Sequence, residues 1–202
     1  MDKILLFGGG GHCKACVDVI ESTSKFEISG IVDPFIKKSD IPYELINQEE
    51  PYEFLRKTFD HAIVTIGQIK NSDKRKKIYF RLKEYKFNLP VIQSKYAYKS
   101  KNSEIDEGTI LMHFSLVNSY STIGKNCIIN SKSLIEHDVK VGDHCHIATG
   151  AILNGEVKVG NDTFIGSNTV IAPGKCIGNN CLISAGLFIN EDIPNDTTIN
   201  YK

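Results

Sequence analysis

The sequence predicts an α/β plus all-β chain, with a small Rossmann-like parallel sheet over residues 1–95 followed by a left-handed parallel β-helix over 96–202. Three observations carry this reading. From Ile105 to Ile189 an aliphatic residue stands at every sixth position, fifteen times without a slip. Four residues after most of these stands a small one, as at Thr109, Ser115, Ser121, Cys127, Ser133, Cys145, Ala151 and Thr163. The chain itself opens on the apolar run Lys3–Phe7, followed directly by four glycines, Gly8–Gly11.

The six-residue period needs a coil made of three flat strands, each with one aliphatic side chain pointing inward, and coils that stack at the sheet spacing of about 4.8 Å. If one residue in four were Ile, Leu or Val, chance would produce such a run about once in a billion sequences. The small column faces inward where the coil narrows, which makes Cys127, Cys145 and Cys181 packing residues. Gly124, Gly142, Gly160, Gly166 and Gly178 each follow an inward aliphatic directly. They are expected at corners whose backbone only glycine adopts cheaply.

In the N-terminal part, Lys3–Phe7 is a buried strand and Gly8–Gly11 with His12 opens a helix carrying Ala15, Cys16, Val19 and Ile20 at helical spacing. Such a loop lets backbone N–H groups approach a phosphate at the positive end of the helix. A second strand, Phe26–Val32, ends at Asp33, where an acid can hydrogen-bond a ribose or sugar hydroxyl. A third spans His61–Gly67, an amphipathic helix follows over 72–86, and Leu89–Ile92 is expected to be a fourth strand. Cys13 occupies the third-glycine position of a dinucleotide fingerprint, and about 95 residues make only one mononucleotide-binding half of a doubly wound fold. A nucleotide-linked sugar suits this unit better than a dinucleotide.

Composition narrows the partners. Lys plus Arg and Asp plus Glu both number 24, so no charge excess points to nucleic acid or an anionic membrane. The apolar run near the start is too short to span a bilayer or serve as a signal core. The protein is therefore expected to be soluble and cytoplasmic, with its six cysteines as reduced thiols.

The chemistry concentrates at Glu136-His137-Asp138. His137 lies two residues past an inward aliphatic, near a corner, with a carboxylate on either side to fix its tautomer and raise its basicity. Adding three hexapeptides, one coil, to His137 reaches Gly155, whose N–H then lies about one strand spacing from the base, the layout an oxyanion donor requires. His144 and His146 form an H-x-H pair, but His113 and His137 fall at other phases of the repeat, so no metal is expected. His146 reads better as a polar partner of an acyl donor. His61 is most simply structural.

Taken together, Gly10-Gly11-His12 after the first strand, Asp33 closing the second, Gly67 closing the third, Ser133-Leu-Ile-Glu-His137-Asp138 and Leu153-Asn-Gly155-Glu-Val resemble the sialic acid O-acetyltransferase and bacillosamine N-acetyltransferase family of hexapeptide-repeat enzymes. The resemblance covers nearly the whole chain. It implies a homotrimer that binds acetyl-CoA between subunits, beside an N-terminal nucleotide-sugar domain. On the family's pattern His137 is the base, Asp138 its acidic partner and Gly155 the oxyanion donor. His146, Gly155, Ser167 and Ala185 contact acetyl-CoA, while Gly10, Gly11, His12, Asp33 and Gly67 contact the sugar nucleotide. One departure stands out. After Ile193-Pro194 the family usually continues with a Gly-x-Pro-Ala-Lys type segment, whereas here Asn-Asp-Thr-Thr-Ile-Asn-Tyr201-Lys202 follows, so a flank of the CoA groove is expected to be missing.

The expected activity is acetyl transfer from acetyl-CoA to the amino group of a UDP- or dTDP-linked deoxyamino sugar, directly in a ternary complex. Two alternatives stay open. One is O-acetylation of sialic acid or a related sugar; the other is a non-enzymatic trimeric scaffold, which would bind no acetyl-CoA.

Overall fold

A computed structural model describes residues 1–47 and 52–200. The N-terminal unit is a four-stranded parallel sheet with helices on both faces. Its elements are β1 (Asp2–Phe7), α1 (Gly11–Thr23), β2 (Phe26–Val32), β3 (Leu45–Ile46), α2 (Tyr52–Arg56), β4 (His61–Val64) and α3 (Asp73–Glu84). The strand order is β3-β2-β1-β4. β1 is buried on both faces, with Ile4, Leu5 and Leu6 at 0% exposure, as a central parallel strand requires.

The fourth strand of this sheet is the edge strand Leu45–Ile46 and not Leu89–Ile92 as the sequence suggested. Asn88 makes one bridge to His61 and Leu89 is buried, but Pro90 has no N–H to continue a ladder. The chain leaves instead, and Ile92–Gln93 pairs with Ile110–Leu111 as the first strand of the β-helix. That helix therefore begins inside the span assigned to the N-terminal unit.

From there the chain winds as a left-handed triangular prism with two-residue strands in three parallel sheets of five, seven and six strands. The pairings up to Phe188–Ile189 each advance by one coil of eighteen residues, as in Thr122 with Lys140 and Leu134 with Ile152, and the final one, Leu182 with Thr198, advances by sixteen. The second residue of each strand points inward, and the aliphatic column from Leu111 to Ile189 forms one continuous core.

The small inward column does more than fill space. Cys127, Cys145 and Cys181 donate their thiols to the carbonyls of Gly142, Gly160 and Pro194, as Thr109 and Thr163 donate their hydroxyls to Gly124 and Gly178. The post-aliphatic glycines have a different cause from the one expected. None has a positive φ, and left-handed backbone falls two residues later, at Asn126, His144, Asp162, Asn168 and Asn180. The glycines are small because the next coil leaves no room. A Cβ on Gly142 would stand 2.4 Å from Asn161 Oδ1, and that oxygen accepts from the Asp143 N–H at 2.7 Å in a ladder that runs coil to coil.

The outward residues decide what covers each face. On the five-stranded face Glu104, Thr122, Lys140, Lys158 and Cys176 point out, a polar set. On the seven-stranded face Ile92, Ile110 and Ile128 are buried in one cluster with Cys13, Val17 and Ile20 of α1, so this face carries the N-terminal unit. On the six-stranded face Tyr98, Leu116, Leu134, Ile152, Val170 and Phe188 point out, half-buried or exposed. No described helix is long and apolar enough to cross a membrane.

Candidate active site

His137 stands on the corner between the six-stranded face, left at Ile135, and the polar face, entered at Lys140. Its Nδ1 lies 2.8 Å from Asp138 Oδ2. A carboxylate only accepts, so Nδ1 carries the proton and Nε2 presents its lone pair outward. The hydrogen bond to Asp138 raises the imidazole pKa above its ordinary 6.5, and the charges of Asp138, Glu136 and Glu156 act in the same direction. Glu136 is itself oriented by Asn118, whose side-chain N–H donates to it at 2.9 Å.

The eighteen-residue ruler holds. A Cβ on Gly155 would stand 2.6 Å from His137 Cε1 and 2.7 Å from Nε2, so the ring lies directly over this glycine. The Gly155 N–H donates to no backbone or side chain among the described residues. Glu136, His137, Asn154, Gly155, Glu156, Pro173 and Gly174 line an open groove of about 440 Å³. Sequence reasoning did not single out Asn118, Asn154 and Pro173, although each is one coil from Glu136 or Gly155 and the same ruler reaches them.

A second cluster forms at the start of α1. Gly8 has φ +112 and Gly9 is crowded by Ile36, so both glycines are explained locally. Gly10 and Gly11 are not, because a Cβ there would meet nothing within 4 Å. Gly10 caps a helix that has no side-chain cap, which leaves its first N–H groups for a ligand. Asp33 accepts from Gly9 N–H at 2.8 Å and from Phe35 N–H at 3.0 Å, and each oxygen keeps a lone pair for a hydroxyl. His12 packs beside Gly67. Burial, then the charge of Arg75, depresses the His12 pKa to about 3.

His146 is 7% exposed on the seven-stranded face, with Nδ1 2.6 Å from Gln68 O and Nε2 3.0 Å from Asn130 Nδ2. Burial pulls its pKa to about 4. Its ring centroid lies 6.5 Å from that of His12. His144 diverges from it to a corner, against Tyr79 and Phe80 of α3. Ser167 and Ala185 stack on successive coils at the corner between the seven- and six-stranded faces. The expected site residues thus fall into three places within one chain. His137, Asp138 and Gly155 flank the apolar six-stranded face on one side, Ser167 and Ala185 flank it on the other, and the glycine loop, His12, Gly67 and His146 lie on the seven-stranded face opposite the His137 corner. The final Tyr201-Lys202 of the departing C-terminal segment lie outside the described residues.

Residues 3–82 match the PglD N-terminal domain. Residues 120–155 match the bacterial transferase hexapeptide, six repeats, and 156–191 the hexapeptide repeat of succinyl-transferase. The acetyltransferase domain of PglB from Neisseria gonorrhoeae is 24% identical, with a TM-score of 0.91 over 98% of this chain and 96% of that one. PerB from Caulobacter crescentus, solved with CoA and GDP-perosamine, is 25% identical, with a TM-score of 0.88 over 98% and 93%. WeeI from Acinetobacter baumannii is 23% identical, with a TM-score of 0.85 over 100% and 97%. No curated protein matches in sequence.

The prism is made of bacterial transferase hexapeptides, the repeat shared by the hexapeptide acyltransferases. The domain that precedes the prism narrows the assignment. With a PglD N-terminal domain ahead of its hexapeptide repeats, the chain is built like the PglD-like sugar acetyltransferases.

Proposed function

We propose that this protein transfers the acetyl group of acetyl-CoA to the amino group of a nucleotide-linked deoxyamino sugar, with UDP and dTDP as the first nucleotides to try. The observation that carries the reading is the His137 imidazole, its proton on the Asp138 side, seated over the unpaired Gly155 N–H. In this reading acetyl-CoA supplies an activated thioester. His137 Nε2 takes the proton lost by the attacking amine, Asp138 stabilises the imidazolium, Gly155 N–H receives the oxyanion, and as the C–S bond breaks the imidazolium returns its proton to the departing CoA thiolate. The sugar nucleotide lies along Gly10, Gly11, His12, Asp33 and Gly67, in a unit spanning about residues 1–95. Acetyl-CoA runs past His146, Gly155, Ser167 and Ala185 in the unit over 96–202. The PerB structure, with both CoA and GDP-perosamine, and the PglB domain, with acetyl coenzyme A, support this pairing of substrates. Both substrates are cytoplasmic metabolites, and the cytoplasm is the compartment proposed. The test is thiol release from acetyl-CoA over UDP-, dTDP- and GDP-linked amino sugars with free sialic acid as the alcohol control. Turnover with sialic acid alone would replace N- by O-acetylation, and no release with any acceptor would overturn the enzyme reading.

Because the His137 corner and the glycine loop lie on opposite sides of one prism, the reaction needs two copies of the chain. The proposed assembly is a homotrimer closed through the six-stranded face. That arrangement covers the apolar stripe from Tyr98 to Phe188 and brings the His137 flank of one copy beside the Ser167 flank of the next. Ile152→Glu, at the centre of the stripe and pointing outward, is expected to give a folded monomer by analytical ultracentrifugation with acetyl transfer abolished. A trimeric Ile152→Glu would refute this interface.

The Asp138 carboxylate stabilises the protonated imidazole, so removing it lowers the His137 pKa. In Asp138→Asn the His137 Cε1–H resonance should titrate at lower pH than in the parent, where it titrates above 6.5. An unshifted midpoint would disconnect the pair.

A further inference from the structure

A buried arginine whose hydrogen bonds reach no acid among the described residues joins the two halves of the chain. Arg75, in the first turn of α3, is 1% exposed. Its Nη1 donates to the carbonyl oxygens of Val64, at 3.2 Å, and Ile66, and its Nη2 donates to Asn126 O at 3.2 Å and Asn126 Oδ1 at 2.9 Å. All four acceptors are neutral. Burial pulls its pKa down to about 10, so it remains a cation at neutral pH. Holding a desolvated charge on neutral oxygens alone is costly, and an apolar side chain would serve if packing were the only requirement.

What the guanidinium joins is informative. Val64 and Ile66 are at the exit of β4, immediately before Gly67 and Gln68, whereas Asn126 is a prism corner with φ 52. A second tie runs in parallel. His146 Nδ1–H donates to Gln68 O, and its Nε2 faces the Asn130 amide. On its inner side the same loop touches His12, whose Cβ would lie 3.4 Å from a Cβ on Gly67. The segment 64–68 is thus held to the prism at both ends, next to the glycine loop.

We propose that Arg75 is a positioning residue for the acceptor sugar, which through Asn126 sets the placement of loop 64–68 and of the neighbouring glycine loop on the prism. This rests on the reading that the glycine loop holds a nucleotide-linked acceptor. The planar fork of arginine bonds two segments at once, which the point charge of lysine cannot do. Catalysis is sensitive to such placement, because a displacement of about 1 Å costs up to about 10²-fold.

Arg75→Lys keeps the charge and loses the fork. Asn126→Gly keeps the left-handed backbone, which glycine adopts freely, and loses the Oδ1 acceptor together with the Nδ2 contact to His144. In the full-length chain both variants are expected to lower kcat/KM for the acceptor by about 10- to 100-fold while KM for acetyl-CoA shifts much less and the oligomeric state stays unchanged. Amide hydrogen exchange over 65–68 should quicken, and the double variant should be no worse than Arg75→Lys, since both remove one connection. Unchanged acceptor kinetics and exchange in Asn126→Gly would overturn the proposal. So would a rise in exchange throughout the chain with KM for acetyl-CoA altered equally, which marks a general folding role. If the parent turns over no acceptor, the functional reading fails on that result, and local exchange in the two variants decides the positioning claim separately.

Discussion

His137→Ala is expected to lower kcat by about 10²-fold or more, the usual contribution of a general base, with trimer formation and acetyl-CoA binding retained. The imidazole is half exposed at a corner and outside the aliphatic core, so its removal leaves no cavity to collapse. Its hydrogen bond is to the adjacent Asp138, so no distant segment depends on it. Thiol release, sedimentation and thermal unfolding on the same preparation separate these effects. A parent-like rate in a folded trimer would remove His137 from the mechanism.

Gly155→Ala is expected to be about as damaging to activity, with little effect on stability. The new methyl would stand within 2.7 Å of the His137 ring, closer than nonbonded carbons tolerate, and the ring is the part free to move. It would swing away from Asp138 and from the Gly155 N–H, so the base and the oxyanion donor would lose their common geometry. Loss of a single oxyanion donor costs about 10²- to 10³-fold in kcat, and kcat should fall within that range. Because both substitutions disable one arrangement, the double variant His137→Ala/Gly155→Ala should be about as slow as the slower single one. Multiplied defects would show that Gly155 acts independently of the base.

Much of this corner was legible in the sequence because a solenoid converts sequence distance into spatial distance at a constant rate. Eighteen residues make each coil from Ile92 to Ile189, so the period alone sets Gly155 beneath His137. The glycines next to the inward aliphatics were legible as a pattern and misread in cause. Their need arises from the following coil and its Asn161-type ladder, an interaction between residues far apart along the chain, and not from local backbone preference. Leu89–Ile92 was misplaced for a similar reason. Its apolar pattern suits either sheet, and the choice was made by Pro90 and by Ile110 on the coil above.

The sequence by itself determined the two-part architecture, the prism and its register, the His137–Asp138–Gly155 corner and the strand, glycine loop and helix that open the chain. All of these follow from periodicity or from groups close in sequence. Only the tertiary structure decided that the N-terminal unit covers the seven-stranded face, that the six-stranded face turns an apolar stripe outward, and that His137 and the glycine loop stand on opposite sides of one prism. It also revealed Arg75, which no motif marks. Those outcomes depend on outward-pointing side chains finding partners about fifty to a hundred residues away, and such pairings leave no period in the sequence.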